Sequence, residues 1–304
     1  MADLLSFLSE PVQAPWMQRA LVMGVLIGIS GGLVGTVLVL RRMALVADSF
    51  SHALLPGLGI AYLIAGPSPV GLLVGAAGAG LLTAAAGGLT SRLTRLGEDA
   101  AFAAIFTLFM ALGVAILGKA APGDLLHCLF GSVLAVARTD LILAAATCSI
   151  TILALALFYR WIVLECLDRT FFRASGGPSA ATHAVILVLI VINLISALQS
   201  VGIVLCLALF ILPATTAYLW CERFGSMLLV SATTGAVGAV AGIIASWHLD
   251  LPSGACIASC LGVPFLVSIV LAPRHGLLGR LRHSHRHLTE DGRECAPAPR
   301  LPQG

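Results

Sequence analysis

Two side chains in the first third of the sequence have the types and the spacing to bind a metal ion. Asp48 and His52 are four residues apart inside a long apolar run, so on a helix they project from one face. Of the fourteen acidic residues, Asp48 alone lies inside such a run. Ionisable groups at these positions are costly and usually functional. Because imidazole and carboxylate together suit manganese, zinc and ferrous iron, the pair predicts a half-site for a divalent transition metal. The alternative is a buried Asp–His ion pair that joins two turns of one helix.

Pro56 follows His52 by four residues. Proline has no N–H, so the His52 carbonyl loses its helical partner, which predicts a kink or an extra oxygen ligand. Two side chains are too few for a tight metal site. A second copy of the chain, or other residues of this one, would have to complete it.

A second pair, Asp124 and His127, is three residues apart and also shares one helical face. It lies at the start of a short apolar segment, 125–136, which is too short to cross a membrane and is expected to be re-entrant or interfacial. The pair is a candidate secondary metal contact or gate. In the alternative interpretation, Asp124 would cap the segment and His127 would lie at the membrane interface.

The composition is that of a membrane protein. Apolar residues make up 59% of the chain and charged residues 10%, against about 25% charge in soluble proteins, and the mean hydropathy is +1.03. A soluble enzyme, a disordered chain and a nucleic-acid binder are excluded. Nine runs have membrane-spanning length: 19–40, 43–65, 70–90, 100–118, 139–159, 180–198, 201–220, 226–247 and 254–272. We expect an all-α, polytopic transmembrane bundle of about eight to nine spans in the cell (inner) membrane.

The charges predict the orientation and the domain organisation. With nine spans and an external N-terminus, fourteen basic residues lie inside and three outside, as the positive-inside rule requires. Residues 1–18 are expected to form an amphipathic interfacial segment, 19–272 the transmembrane domain, and 273–304 a basic, His-rich, disordered cytoplasmic tail. Gly24, Gly28 and Gly32 recur every four residues, which favours close packing between helices of the same chain.

An internal loop, 161–178, mixes charged residues with aromatic ones and ends in helix-stopping glycines. A short surface helix there would offer Phe171 and Phe172 to a partner protein, or would lie on lipid. Catalytic motifs are absent: the sequence has no phosphate-binding G-x-x-x-x-G-K-[ST] loop, no G-x-S-x-G elbow and no H-E-x-x-H motif. The chain is therefore not expected to be an enzyme, and any ATP hydrolysis belongs to another chain.

From about residue 7 to 278, the chain resembles the membrane permease subunit of the manganese, zinc and iron ATP-binding-cassette (ABC) importers. The most specific motif is Leu40-Arg-Arg-Met43 followed by Asp48-Ser-Phe-Ser-His52-Ala-Leu-Leu-Pro56-Gly57. Further segments that carry the resemblance are 127–135, 168–176, 201–202, 212–217, 250–254 and 272–276. Two residues depart from the family pattern: Arg169 stands where proline is expected and Phe172 where alanine is expected.

The resemblance implies a function and a set of partners. The transported divalent manganese, zinc or iron ion is the substrate, held at Asp48 and His52, and no cofactor is permanently bound. A cytoplasmic ABC ATPase dimer, an extracytoplasmic metal-binding solute-binding protein, a second copy of the permease or a related permease, and the lipid bilayer are the implied partners; nucleic acid is not. The implied ATPase-coupling residues are Asp168, Phe171, Phe172, Arg173, Ala174, Ser175 and Gly176.

Two alternatives stay open at this point. A permease for a metal chelate or vitamin would share the architecture and leave Asp48 and His52 without a role. A proton-coupled secondary metal transporter would use the same pair to relay protons, although the sequence shows no convincing internal repeat of the kind such carriers contain.

Overall fold

The chain folds as a helical bundle in the computed structural model, which describes residues 14–66, 68–120 and 137–272. Those residues contain no β-strand. The helices are α1 (Pro15–Leu40), α2 (Ala44–Ala53), α3 (Leu55–Ala65), α4 (Pro69–Leu93), α5 (Glu98–Ala120), α6 (Arg138–Leu157), α7 (Tyr159–Leu167), α8 (Arg169–Ala174), α9 (Ser179–Val201), α10 (Ile203–Trp220), α11 (Phe224–Leu249) and α12 (Ser253–Leu271). The predicted all-α membrane fold is confirmed.

Seven of these helices are long and apolar enough to cross a membrane, namely α1, α4, α5, α6, α9, α11 and α12. The other two predicted spans have a different form. The run 43–65 is divided into α2 and α3, and the run 201–220 gives α10, whose apolar part is the shorter Leu205–Trp220. The break between α9 and α10 falls at Gly202, where φ is +82°. This backbone conformation is open to glycine and closed to most other residues.

The ends of several helices meet at one end of the bundle. Side chains of Arg41, Glu98, Glu165, Arg169 and His183 pair there, and we call this place the charged end. Since α1 finishes at the charged end, and α4 leads back to it just before α5 begins, the α2–α3 pair crosses in the opposite direction. Its 22 residues, Ala44 to Ala65, would span about 32 Å if helical throughout, close to the hydrocarbon thickness.

The centre of the bundle is formed by α1 and α9, the two most buried of the long helices. On one side α1 packs against α10 and α11, and on the other α9 packs against α4 and α6. The glycine stripe of α1 makes the close helix contact that its spacing predicts, and the partner is α11. A Cβ atom on Gly28 would lie 2.6 Å from the carbonyl oxygen of Gly235, so the two backbones touch. Ser231 adds a hydrogen bond of 2.7 Å to the carbonyl of Gly32.

Several predictions fall outside the described residues. These are the candidate pair Asp124 and His127, the short segment 125–136, most of the interfacial segment 1–18 and the tail 273–304. The described part of the N-terminal segment differs from the expectation, because α1 begins at Pro15 and not at Arg19. Proline is favoured in the first turn of a helix, where a missing N–H costs nothing.

Candidate functional site: the Asp48–His52 pair and the charged end

The helix that carries the metal candidates begins at a sharp turn. Arg42 has a φ of +58°, and the amide of Met43 donates to the carbonyl of Leu38 across 2.8 Å. This left-handed residue reverses the chain between α1 and α2, so the motif Leu40-Arg-Arg-Met43 places α2 beside the end of α1. A non-glycine residue in this region costs about 1–3 kcal/mol, which the surrounding contacts must offset.

The helix is interrupted close to Pro56, which predicts a kink there. α2 ends at Ala53 and α3 begins at Leu55, with Pro56 in its first turn. The carbonyl of His52, which Pro56 deprives of its normal helical partner, accepts the amide of Leu54 instead. The break therefore lies at Leu54, two residues after His52, and it divides the crossing into a half that carries the candidate ligands and a half without charged residues.

Asp48 and His52 lie side by side, as their spacing predicts. The distance from His52 Nε2 to Asp48 Oδ1 is 3.7 Å. Two donors on one metal ion, each about 2.0–2.2 Å from it, are about 3.0–3.4 Å apart, so a small side-chain rotation suffices for both to bind. The Asp48 side chain is 47% exposed and that of His52 27% exposed. The two side chains form an ion pair within one helix that is only partly buried in the protomer, so the metal half-site and the structural ion pair both stay predictions.

The rest of α2 is fixed by core packing. Phe50, between the two candidate ligands in sequence, is fully buried, and its ring centroid is 5.3 Å from that of Phe102 on α5. The His52 ring rests 5.7 Å from the ring of Phe106, one turn further along α5. His52 Nδ1 is buried and has no hydrogen-bond partner among the described residues. Phe50 thus packs one face of α2 into the core, whereas Asp48, on the opposite face, is partly exposed.

Beyond the break, an apolar groove opens on the surface of the bundle. A cavity of about 640 Å³ lies between α3, α4 and α5, and it begins at Pro56 and Gly57. Its walls are formed by glycines and apolar side chains, among them Ile60, Val74 and Phe109. None of its lining residues carries a side chain that could bind a cation.

The predicted surface helix is α8. Asp168 caps it, its Oδ1 accepting the amide of Phe171 at 2.9 Å, and Arg173 Nε donates to Ser179 Oγ at 3.3 Å. Phe171 is 60% exposed. Phe172 is buried, and it packs against Gly177, where a Cβ atom would collide with its ring. The expectation that both phenylalanines are offered to a partner is wrong for Phe172, because this side chain fixes α8 to the bundle.

The charged end joins α8 to four other helices. Arg169 pairs with Glu98 and, at 3.1 Å, with Glu165. Arg41 donates to Glu98 at 3.3 Å and to His183 Nδ1 at 2.8 Å, and it lies 3.9 Å from Glu165. Burial lowers the pKa of Arg41, and the neighbouring Glu98 carboxylate is the strongest influence that opposes this shift. Two arginines thus balance two carboxylates.

Sequence reasoning missed this cluster. Glu98 lies just before an apolar run and Glu165 lies in the internal loop 161–178, and a charge at either place usually needs no explanation. The one available signal was Arg169, which replaces an expected proline. The structure gives the reason for that departure: Arg169 is paired inward, with Glu98 and Glu165.

A family model describes the same chain. Residues 13–272, which include Asp48, His52 and α8, match the model of the ABC 3 transport family. The chain belongs to this family. The resemblance to ABC importer permeases is thereby confirmed, and with it the assignment as a multi-pass protein of the cell membrane.

Relatives within the family carry names that refer to metals. The chain is 38% identical over 282 residues to the manganese transport system membrane protein MntC of Halalkalibacterium halodurans, covering 92% of this chain and 95% of the relative. It is 31% identical to the chelated iron transport system membrane protein YfeD of Yersinia pestis, covering 88% and 89%. Among solved structures, PsaBC from Streptococcus pneumoniae in complex with Fab matches with a TM-score of 0.79 and 31% identity, over 92% of this chain and 99% of the other.

Proposed function

We propose that this chain is the permease subunit of an ABC importer that moves a divalent transition metal, manganese, zinc or ferrous iron, into the cytoplasm. The observation that carries the proposal is the partly exposed Asp48–His52 pair, which lies close to the break in a membrane-crossing helix. Asp48 would offset the desolvation of the cation, and His52 would supply the preference for a transition metal. The manganese and iron relatives agree with this substrate class.

The energy source would be a separate ATPase. We propose that an ABC ATPase dimer binds the cytoplasmic surface at α8, with Phe171 as the exposed apolar contact. Hydrolysis would alternate access to the metal pair from the two sides of the membrane. A solute-binding protein would deliver the ion to the outer surface, and a second permease copy would cover the open face of Asp48.

Metal uptake by the complete complex tests the proposal. Asp48→Asn and His52→Ala should each reduce uptake of radiolabelled manganese or zinc to less than about a tenth of the wild-type rate, because even changes behind a metal ligand cost 10–100-fold. The matched controls are Asp99→Asn, an exposed acid in the first turn of α5, and His248→Ala at the end of α11. Uptake that persists in both site variants would contradict the metal-binding role.

The same assay separates the alternatives. A chelate permease, which the iron relative's name favours, would transport the chelated ion while both site variants stay active. A secondary carrier would work without the ATPase and would respond to a proton gradient. Uptake that needs ATP, the free ion and both side chains supports the proposed function alone.

A further inference from the structure

One helix, α5, contacts both the helix of the candidate metal pair and the coupling helix α8. α5 begins at Glu98, whose carboxylate pairs with Arg169 of α8. Further along, its aromatic side chains meet the rings of α2. We infer that α5 transmits the movement of α8 to the metal pair and that Glu98 is the positioning residue at its start. The inference rests on the proposed function.

The contacts of α5 follow one line along the helix. Glu98, Phe102 and Phe106 are spaced four residues apart, and Gly113 follows seven residues later. At about 100° per residue these four positions fall within a sector of about 80°, so they share a face. The axial distance from Glu98 to Phe106 is about 12 Å, at about 1.5 Å per residue. One face of a rigid rod thus extends from the charged end to the candidate ligand His52.

The middle contact is tightly enclosed. The Phe102 ring is fully buried between Phe50 on α2 and Gly87 on α4, where a Cβ atom would collide with it. Because the ring has no free space towards α4, a shift of α5 must also move Phe50. Phe50 lies two residues from Asp48 and two from His52, so such a shift reorients both candidate ligands.

The last contact reaches the helix break. A Cβ atom on Gly113 would lie 3.0 Å from Leu55 Cβ and from Pro56 Cδ. α5 therefore packs closely on the first turn of α3, directly after the break that follows His52. Helix breaks are where a change of backbone angle is most easily absorbed, so α5 holds the element whose bending would open or close the pair.

The charged end makes α5 respond to α8. Glu98 is shared by Arg169 and Arg41, so it ties the coupling helix to the end of α1. The side chains of both arginines are largely removed from solvent, as is that of Glu98. Breaking a buried pair by removing one charge is strongly unfavourable, so the two helices move together and not independently.

The test uses the whole complex of permease and ATPase in proteoliposomes, with manganese uptake and ATP hydrolysis measured in the same vesicles. Glu98→Gln should lower the number of ions taken up per ATP hydrolysed at least about tenfold. ATPase co-purification and manganese affinity should stay within about twofold of wild type. Glu98→Asp, which keeps the charge, should restore part of the ratio, and Asp99→Asn, which lies one residue away and is exposed, should keep all of it.

A second variant keeps the inference testable if Glu98→Gln fails to fold. Phe102→Leu shortens the central contact without touching either candidate ligand or the charged end, and it should lower the same ratio. Its matched control, Phe109→Leu, lies on the same helix but lines the apolar cavity. Coupling energies between distant positions need such direct measurement, because proximity alone does not establish them.

The outcomes separate this inference from the proposed function. Normal ion-to-ATP ratios in both Glu98→Gln and Phe102→Leu, while Asp48→Asn abolishes uptake, would overturn the role of α5 alone. Loss of ATPase co-purification in Glu98→Gln would also overturn it, because Glu98 would then serve docking. Normal uptake by Asp48→Asn would overturn the proposed function itself.

Discussion

The two adjacent phenylalanines of α8, the proposed docking helix, differ in burial. Phe172 is buried and holds α8 against the bundle, whereas Phe171 is exposed at the surface. An exposed aromatic side chain on a helix that is capped and paired at its base is well suited to fill a pocket on a partner protein.

Phe171→Asp should weaken the interaction with the ATPase. We expect at least a fivefold loss of co-purifying ATPase, since a charge would replace the apolar contact at the centre of the interface. The control is Leu96→Asp, another exposed apolar side chain, in the link between α4 and α5. Unchanged co-purification of Phe171→Asp would favour the alternative in which α8 lies on lipid.

Single residues differ in how far the sequence reveals them. Asp48 could be found because it is an acid within an apolar run, and His52 because it lies one turn away. Arg41 and Glu98 could not be assigned, since they are 57 residues apart and pair only in the folded bundle. Phe172 has the same side chain as Phe171, and only the direction in which α8 packs decides which of them is buried.

At the scale of elements, helix contacts follow from small residues and proline. Pro56 predicts the break in the second crossing, and the break occurs two residues earlier, at Leu54. The glycine stripe of α1 predicts a close helix contact, and α11 provides it. Sequence spacing does not identify the partner helix, because many of the spans contain small residues.

Gly28→Ala should destabilise the bundle. The added methyl group would overlap the backbone of Gly235, so α1 and α11 would have to separate, at a cost of about 1–3 kcal/mol. The matched control is Gly262→Ala in α12, where a Cβ atom has nothing within 4 Å. Thermal unfolding in detergent should show a melting temperature lowered by several degrees for Gly28→Ala only. Equal melting temperatures would mean that the contact relaxes without cost.

For the whole molecule, composition alone establishes a helical membrane protein. The number of crossings is harder, because a run of apolar residues does not show where a helix breaks. The structure resolves the second crossing into two helices and shortens α10, with a left-handed glycine at its start. The partly exposed Asp48–His52 pair supplies only two candidate ligands, so the proposed metal site needs further ligands from elsewhere.

Metal stoichiometry should report on the second copy. Two pairs of Asp48 and His52 would give the four ligands of a tetrahedral site, so we expect one manganese or zinc ion for every two permease chains. Equilibrium binding to the purified complex measures this ratio, and Asp48→Asn serves as the blank. One ion per single chain would contradict a shared site.

The residues of the charged end are synthesised at widely separated times. Arg41 leaves the ribosome long before its partners: Glu98 follows 57 residues later and His183 142 residues later. At about 5–20 residues per second, roughly 7–28 s pass before the last of them is synthesised. During translation Arg41 therefore has no compensating carboxylate from this cluster until Glu98 is synthesised, 57 residues later. The contact between Arg41 and His183 can form only after α9 has been synthesised.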